Sequence, residues 1–288
     1  MAYVFKTLRE KTTDILGTIH DFAVNNGWDS LVNDSNLKVI KSTTSTGVDL
    51  ILGFRNTEDG TDWQIEISVF NSYDASVSFD DQDGRPKDQD GNNFPYWKQW
   101  YNFSRELNPS MSPRLLVMNV GQDFLNVYLF GFRDYYTKNI NYKYHTSIFA
   151  GVTRNFDAVS GGQYLLGQQD DTKAFFYFND DKWYSYKKVA GGEYQFRVEL
   201  DIDRQTHSWV DEHGGVYLTP MKFFVAESGD EFKLVGESTS HYLFPDGHPI
   251  APEAIRFEEF DKEFLAYPFL PKSGEFEGTI MTEEEDLF

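Results

Sequence analysis

Acidic residues in one predicted loop are the first candidates for chemistry in this 288-residue chain. Asp80, Asp81 and Asp83 precede Gly84, and the segment Asp88-Gln89-Asp90-Gly91 repeats the same Asp-x-Asp-Gly pattern shortly afterwards. Carboxylate oxygens are the ligands that Ca²⁺ prefers. The full twelve-residue calcium loop is missing, because no Glu follows Gly84 at the required distance. A solvated acidic loop is therefore favoured, with Ca²⁺ binding as the alternative.

A second set of carboxylates lies on a predicted strand. Residues 194–202 alternate apolar and polar side chains, and Glu199, Asp201 and Asp203 share one face of this strand. Three carboxylates together could hold Mg²⁺ or supply an acid–base pair to a hydrolase. The solvated face of an amphipathic strand is favoured instead, because Arg197 and Arg204 lie nearby as partners.

A third candidate combines two imidazoles with a carboxylate. His207, Asp211 and His213 belong to residue types that bind metal ions. Their spacing matches no established ligand pattern, and Gly214-Gly215 marks a turn. A polar loop is therefore favoured over a metal site, and the order of residues along the chain predicts no Ser-His-Asp triad.

Several function classes are disfavoured by composition and by missing motifs. The sequence has no dinucleotide-binding glycine motif, no phosphate-binding loop, no His-Glu-x-x-His and no nucleophile elbow. It has no cysteine, which excludes disulfides and thiolate chemistry. A net charge of −20 argues against nucleic-acid binding, and no apolar run approaches the length of a membrane span. We expect no cofactor, no nucleic-acid partner and no membrane partner.

The elements that must position any site begin with a predicted helix over residues 4–25. Leu8, Ile15, Ile19 and Phe22 recur at helical spacing. Asn26-Gly27 ends this helix, since glycine is common just past a helix end. Trp28 is expected to pack back on its apolar face.

Alternating apolar residues predict antiparallel hairpins over most of the remaining chain. Short polar segments that contain Asp, Gly or Asn separate the predicted strands. The predicted strand pairs are 48–54 with 63–69, 115–120 with 124–132, 175–178 with 183–189, and 216–226 with 232–235.

Aromatic residues form 17% of the chain, and such side chains favour strands and strengthen cores and interfaces. They are concentrated in 134–156, where we predict a strand that leads into a turn at Ala150-Gly151. This segment suits either a core turn or an oligomer contact. The possible interface residues are Tyr135, Tyr136, Tyr142, Tyr144 and Phe149.

Charge divides the chain unevenly, with 15 basic and 19 acidic residues in 1–156 but 11 and 27 in 157–288. The glycine-rich segment 157–171 has the composition of a junction. We predict a helix-plus-hairpin domain over 1–156, a second antiparallel β subdomain over 157–252, and an acidic C-terminal extension over 253–288 that forms an extended or disordered arm. The predicted fold class is α+β, mainly β, with an N-terminal helix followed by antiparallel sheets in β-sandwich-like subdomains.

The chain resembles virion structural proteins of tailed bacteriophages, of the tail, neck and baseplate type. The resemblance lies in the helix that runs into Asn26-Gly27-Trp28, in the hairpin at 48–69, and most clearly in the aromatic strands and Phe149-Ala150-Gly151 within 115–156. It implies a non-enzymatic building block of a symmetric ring, made in the host cytoplasm and incorporated into the virion. The implied partners are copies of the chain and other virion proteins, with no catalytic residues.

Two other functions stay open at this point. The aromatic residues, together with Asp and Asn, could form a carbohydrate-binding or receptor-binding module of the virion. Alternatively, Asp201 and Asp203 could serve a carboxylate-dependent hydrolase. The structural role is favoured, because a cysteine-free, aromatic-rich β protein suits packing against copies of itself, and strong negative charge keeps free subunits apart.

Overall fold

The computed structural model describes residues 2–8, 12–59, 62–86, 114–131, 146–156, 161–167, 173–177, 182–185, 196–198, 219–228, 231–244, 253–257, 262–269 and 278–284. In this part of the chain the fold is mainly β. It has two antiparallel sheets, one α-helix and one turn of 3₁₀ helix. The predicted fold class is therefore confirmed.

The helices are α1 (Thr12–Asn25) and a 3₁₀ turn (Phe79–Asp81). The strands, in chain order, are β1 (Ala2–Leu8), β2 (Asp29–Asn33), β3 (Leu37–Thr43), β4 (Asp49–Asp59), β5 (Asp62–Phe70), β6 (Arg114–Gly121), β7 (Phe124–Gly131), β8 (Thr146–Asn155), β9 (Gln163–Gly167), β10 (Lys173–Tyr177), β11 (Lys182–Ser185), β12 (Phe196–Val198), β13 (Thr219–Ser228), β14 (Glu231–Phe244), β15 (Glu253–Phe257), β16 (Lys262–Phe269) and β17 (Gly278–Glu284).

The larger sheet has thirteen strands, and its main path runs β1-β6-β7-β8-β14-β17-β16-β15. Two branches leave this path, β9-β10-β11 at β8 and β13-β12 at β14. The smaller sheet has the order β2-β3-β4-β5. The domain boundary predicted after residue 156 falls between β8 and β9, which pair with each other.

The prediction of one helix over residues 4–25 is wrong in its N-terminal part. Only α1 is helical, and residues 2–8 form β1, which pairs with β6. Aromatic and β-branched residues in this segment favour a strand, and the partner strand completes its hydrogen bonds. The rest of the prediction holds, because Ile15 and Ile19 are fully buried, Gly27 has a φ of 96°, and Trp28 packs in the same core.

The four predicted hairpins are confirmed as the pairs β4–β5, β6–β7, β10–β11 and β13–β14. The first extends beyond its predicted strands, because β4 and β5 stay paired as far as Asp59 and Asp62. The turn residues between each pair are those whose backbone or side chains favour a reversal. Local alternation and turn chemistry are therefore enough to define these units.

Two other local predictions are wrong. The expected turn at Ala150-Gly151 is the middle of β8, where both residues pair with β7 and β9. The expected C-terminal arm contains β15, β16 and β17, and Leu265 and Thr282 are fully buried. In both segments, strand pairing determines the backbone conformation. It outweighs the preference of glycine for turns in the first segment and the unfavourable acidic charge in the second.

Side-chain alternation along β6 to β9 supplies two cores on opposite faces of these strands. On one face, Leu116 and Met118 pack in a cluster with Ile19 of α1 and residues of the smaller sheet. On the other face, Val117 and Tyr128 pack with residues of β13, β14 and β16. Strands β6 to β9 are therefore the middle of three packed layers.

A loop over 71–86 covers the outer face of the smaller sheet. Phe79 packs there with Phe70, at 5.3 Å between ring centroids in an edge-to-face arrangement. A Cβ at Gly53 would lie within 2.6 Å of both rings, so the close approach of this loop requires glycine at that position.

Candidate functional site

A polar cleft of about 550 Å³ opens where β8, β13 and β14 meet the turn between β3 and β4. The antiparallel register places Arg154 directly opposite Glu237. The two side chains form an ion pair across the strands. Eight of the lining residues carry the polar and aromatic groups of the cleft: Ser45, Thr46, Arg154, Asn155, Glu237, Ser238, Thr239 and Tyr242.

The ion pair uses only part of the hydrogen-bonding capacity of its two side chains. Arg154 donates to Glu237 through one terminal nitrogen, and the Arg154 side chain is 72% exposed. The Glu237 side chain is 18% exposed. Because a guanidinium has five N–H donors and a carboxylate has about four acceptor sites, this pair can still bind a ligand that both donates and accepts.

Ser238 connects the lining of the cleft to a buried chain of polar groups. Its hydroxyl lies 2.6 Å from the Tyr164 hydroxyl, which lies 2.5 Å from Nδ1 of His241. Nε2 of His241 lies 2.7 Å from Oδ1 of Asn126. These residues come from β7, β9 and β14, so only the assembled sheet brings them together.

Burial determines the protonation of these hydrogen-bonded groups. It lowers the pKa of His241 to about 3 and raises the pKa of Tyr164 above its ordinary value. The neutral imidazole therefore donates from Nε2 to Asn126 and accepts the Tyr164 hydroxyl proton at Nδ1.

Ser238 is not available as a nucleophile in this arrangement. Its oxygen accepts the backbone N–H groups of His241, at 2.9 Å, and of Ser240, at 3.2 Å. Its proton goes to the phenol oxygen of Tyr164, whose own proton is held by His241. Both lone pairs of the Ser238 oxygen are occupied, and no base contacts its hydroxyl directly. This series of hydrogen bonds therefore stabilises the interior and does not activate the serine.

A second arrangement has the connectivity of a catalytic triad, which sequence order did not predict. Nε2 of His20 lies 2.8 Å from Oγ of Ser30, and Nδ1 of His20 lies 2.8 Å from Oδ1 of Asp21. His20 is buried within α1, whereas Ser30 is exposed on the edge strand β2. The side chain of Asp21 is 68% exposed.

Exposure weakens this arrangement as a catalytic device. The orienting carboxylate of a serine hydrolase is buried, where its charge stabilises the imidazolium strongly. Water screens the exposed carboxylate of Asp21, so this group lacks the burial that the orienting carboxylate of a serine hydrolase has. These hydrogen bonds are sufficient to connect α1 to β2.

The predicted acidic loop, for which calcium binding is the alternative, is only partly within the described residues, which end at 86 here. Both oxygens of Asp80 accept hydrogen bonds from Arg55, at 2.9 Å, and Oδ1 also accepts one from Arg85, at 2.6 Å. Asp81 and Asp83 accept hydroxyl hydrogen bonds from Ser78 and Ser72. Among the described residues, Asp80 therefore serves an ion-pair cluster rather than a cation.

This arginine cluster joins the loop to the smaller sheet. Glu66 accepts hydrogen bonds from Arg55, at 2.8 Å, and from Arg85. The two guanidinium carbons lie 4.5 and 4.8 Å from the ring centroid of Phe79. Partial burial alone would raise the pKa of Asp80, but the hydrogen bonds and charges of Arg55 and Arg85 lower it below its ordinary value.

The remaining predicted site residues divide into two groups. Phe149 is fully buried in the core, 5.4 Å from the ring of Tyr267, which favours the core interpretation over an interface contact. No group of three His, Asp or Glu side chains in the described ranges is arranged to hold a metal ion. Outside the described residues lie Asp88, Asp90, Tyr135, Tyr136, Tyr142, Tyr144, Glu199, Asp201, Asp203, His207, Asp211 and His213.

Sequence analysis missed Arg154, Glu237, Tyr164 and His241. The one local signal is the polar run from Glu237 to His241 inside an otherwise apolar segment. Such a run in a central strand indicates buried groups that need partners. The partners themselves are up to 115 residues away, so no spacing could identify them.

The described residues contain no helix with the length and apolar character that crossing a bilayer requires. No family model matches the chain, and no curated protein matches its sequence.

Proposed function

We propose that the chain is a non-enzymatic structural component of a tailed-bacteriophage virion, in the tail, neck or baseplate. In this proposal it is made in the host cytoplasm and assembles with copies of itself, and with other virion proteins, into a symmetric ring. The proposal rests on the resemblance described above and on the arrangement of the larger sheet.

The observation that carries the proposal is that the main path of this sheet ends in two different strands. Among the described residues, β1 pairs with β6 alone and β15 pairs with β16 alone. A strand with one partner presents unpaired backbone groups that another chain can complete. If the β1 edge of one copy meets the β15 edge of the next, the contact is head-to-tail, and head-to-tail contacts generate a ring when the rotation between successive copies closes.

The chemistry of the interior supports a role without catalysis. Ser238, Tyr164 and His241 use their hydrogen-bonding groups on one another. The carboxylate that contacts His20 belongs to Asp21, whose side chain is exposed to water. The hydrolase alternative would depend on Asp201 and Asp203, for which the described residues supply no geometry. The carbohydrate-binding alternative is supported by the cleft and is developed below.

Cysteine scanning can test the head-to-tail contact, because the native chain has no cysteine. Thr7→Cys in β1 and Arg256→Cys in β15 are combined in one variant. Further variants place the two cysteines at neighbouring positions of the same strands, in order to sample the register of the contact. Mild oxidation is expected to give dimers and higher ladders on non-reducing gels. The matched control combines Thr7→Cys with Ser35→Cys, an exposed position between β2 and β3.

Mass photometry of the unmodified chain then measures assembly, alone and with the products of neighbouring genes. Rings of one stoichiometry are expected. A chain that stays monomeric in every mixture, or ladders that are equal in the control, would contradict the proposal. Reaction of Ser30 with a fluorophosphonate probe that Ser30→Ala abolishes would contradict its non-enzymatic part.

A further inference from the structure

We infer that the cleft lined by Arg154 and Glu237 binds a neutral saccharide of one or two sugar rings. This inference does not depend on virion assembly, since it rests on the geometry of the cleft alone. Its volume of about 550 Å³ lies in the range of small-molecule sites.

Charge balance favours an uncharged ligand. Arg154 and Glu237 face each other and neutralise each other at the cleft. An anion would meet the Glu237 carboxylate and a chain of net charge −20, whereas a cation would meet the Arg154 guanidinium. A neutral ligand avoids both repulsions and can still use both partners.

The hydrogen-bonding groups match a polyol. Each sugar hydroxyl donates one hydrogen bond and accepts others, so two adjacent hydroxyls can accept from Arg154 and donate to Glu237. Thr46 and Asn155 line the same cleft, where the Thr46 hydroxyl lies 3.0 Å from that of Thr44 and Oδ1 of Asn155 accepts a hydrogen bond from Thr153. Thr239, which donates to the carbonyl of Val152 at 3.2 Å, keeps its lone pairs for a ligand.

Aromatic and apolar surface completes the site. Tyr242 and Pro220 line the cleft, and an edge-to-face contact with Phe264, at 6.0 Å, fixes the ring of Tyr242. Sugar rings have apolar C–H faces that pack on aromatic rings such as that of Tyr242.

A glycan array that carries neutral, sialylated and uronate-containing oligosaccharides provides the probe, with the full chain fluorescently labelled. The strongest neutral ligand is then titrated against the wild type and the variants by saturation-transfer NMR. Arg154→Ala and Glu237→Gln alter two charged groups that line the cleft. Lys41→Ala is the matched control, because Lys41 forms a partly exposed ion pair with Asp49 that does not line the cleft.

The expected result is binding to neutral glycans that weakens about tenfold or more in Arg154→Ala and Glu237→Gln, since each change removes a charged hydrogen bond. Lys41→Ala is expected to bind like the wild type. Unchanged thermal unfolding of the variants establishes that the fold is intact. The inference is overturned if the array shows no neutral glycan, if only acidic glycans bind, or if the cleft variants bind as tightly as the control.

Discussion

Glu66 is the acceptor that two arginines share beneath the loop over 71–86, and its removal is a direct test of how this loop is held. Arg85 is fully buried, with hydrogen bonds to Glu66, to Asp80 and to the carbonyl of Phe79. Glu66→Ala leaves this guanidinium buried with one carboxylate fewer. Breaking a buried pair in this way costs about 3–5 kcal/mol. Since Asp80 remains, we expect a loss of about 3 kcal/mol.

Urea unfolding, followed by circular dichroism, measures the change as a shift in midpoint at constant m value. Asp49→Ala is the control on the same sheet, because the ion pair between Asp49 and Lys41 is more exposed and is worth about 1 kcal/mol or less. The double variant Glu66→Leu with Arg85→Met removes both charges. It is expected to be more stable than Glu66→Ala, since no uncompensated charge is left in the interior.

Two results would refute this reasoning. One is a loss from Glu66→Ala that is no larger than the loss from the control. The other is a double variant that is as unstable as the single variant, which would show that packing rather than charge compensation holds the loop. Should Glu66→Ala prove too unstable to measure, Glu66→Gln keeps the shape of the side chain and is expected to lose part of the same free energy.

Three further predictions concern titration and buried hydrogen bonds. The folded state lowers the pKa of Asp80, so the contribution of Asp80 to stability is present above about pH 4 and is lost as pH falls through its folded pKa. Asp80→Asn should remove this component from the pH dependence of the unfolding free energy. Because the folded pKa of His241 is about 3, NMR should show a neutral ring with the proton on Nε2 from pH 5 to 8. The free energy of unfolding should decrease below about pH 6.5, because there only the unfolded chain takes up the proton. An imidazole that titrates near pH 6.5 in the folded chain would contradict this. Tyr164→Phe should cost about 1–2 kcal/mol in urea unfolding, because it removes the phenol that donates to Nδ1 of His241 and accepts the Ser238 hydroxyl proton. No measurable loss would show that these buried hydrogen bonds are dispensable.

The core face of α1 and the four hairpins could be predicted from the sequence because their signals are local. Ile15 and Ile19 recur at helical spacing, and Asp-Gly and Gly-Gln-Asp segments separate alternating strands. The same local logic failed at residues 2–8 and at Ala150-Gly151. There the state of the backbone depends on partners far along the chain, such as β6 for β1.

The candidate sites show the same division. The acidic residues of 80–84 are visible in the sequence, but their partner Arg55 is 25 residues from Asp80, and the shared acceptor Glu66 lies on another strand. An acidic run by itself is compatible with a solvated loop, with cation binding and with ion pairing. Only the position of the arginines decides between them.

Residue types alone determined that this chain has no thiol chemistry, that it is strongly acidic and that it is rich in strand-forming aromatic residues. Tertiary structure decided that Arg154 faces Glu237 across two strands and that His241 is neutral beside Tyr164. The physical reason is that composition and periodicity are properties of neighbours in the chain. Strand pairing, burial and the pKa values that follow from them depend on contacts between residues that the sequence keeps far apart.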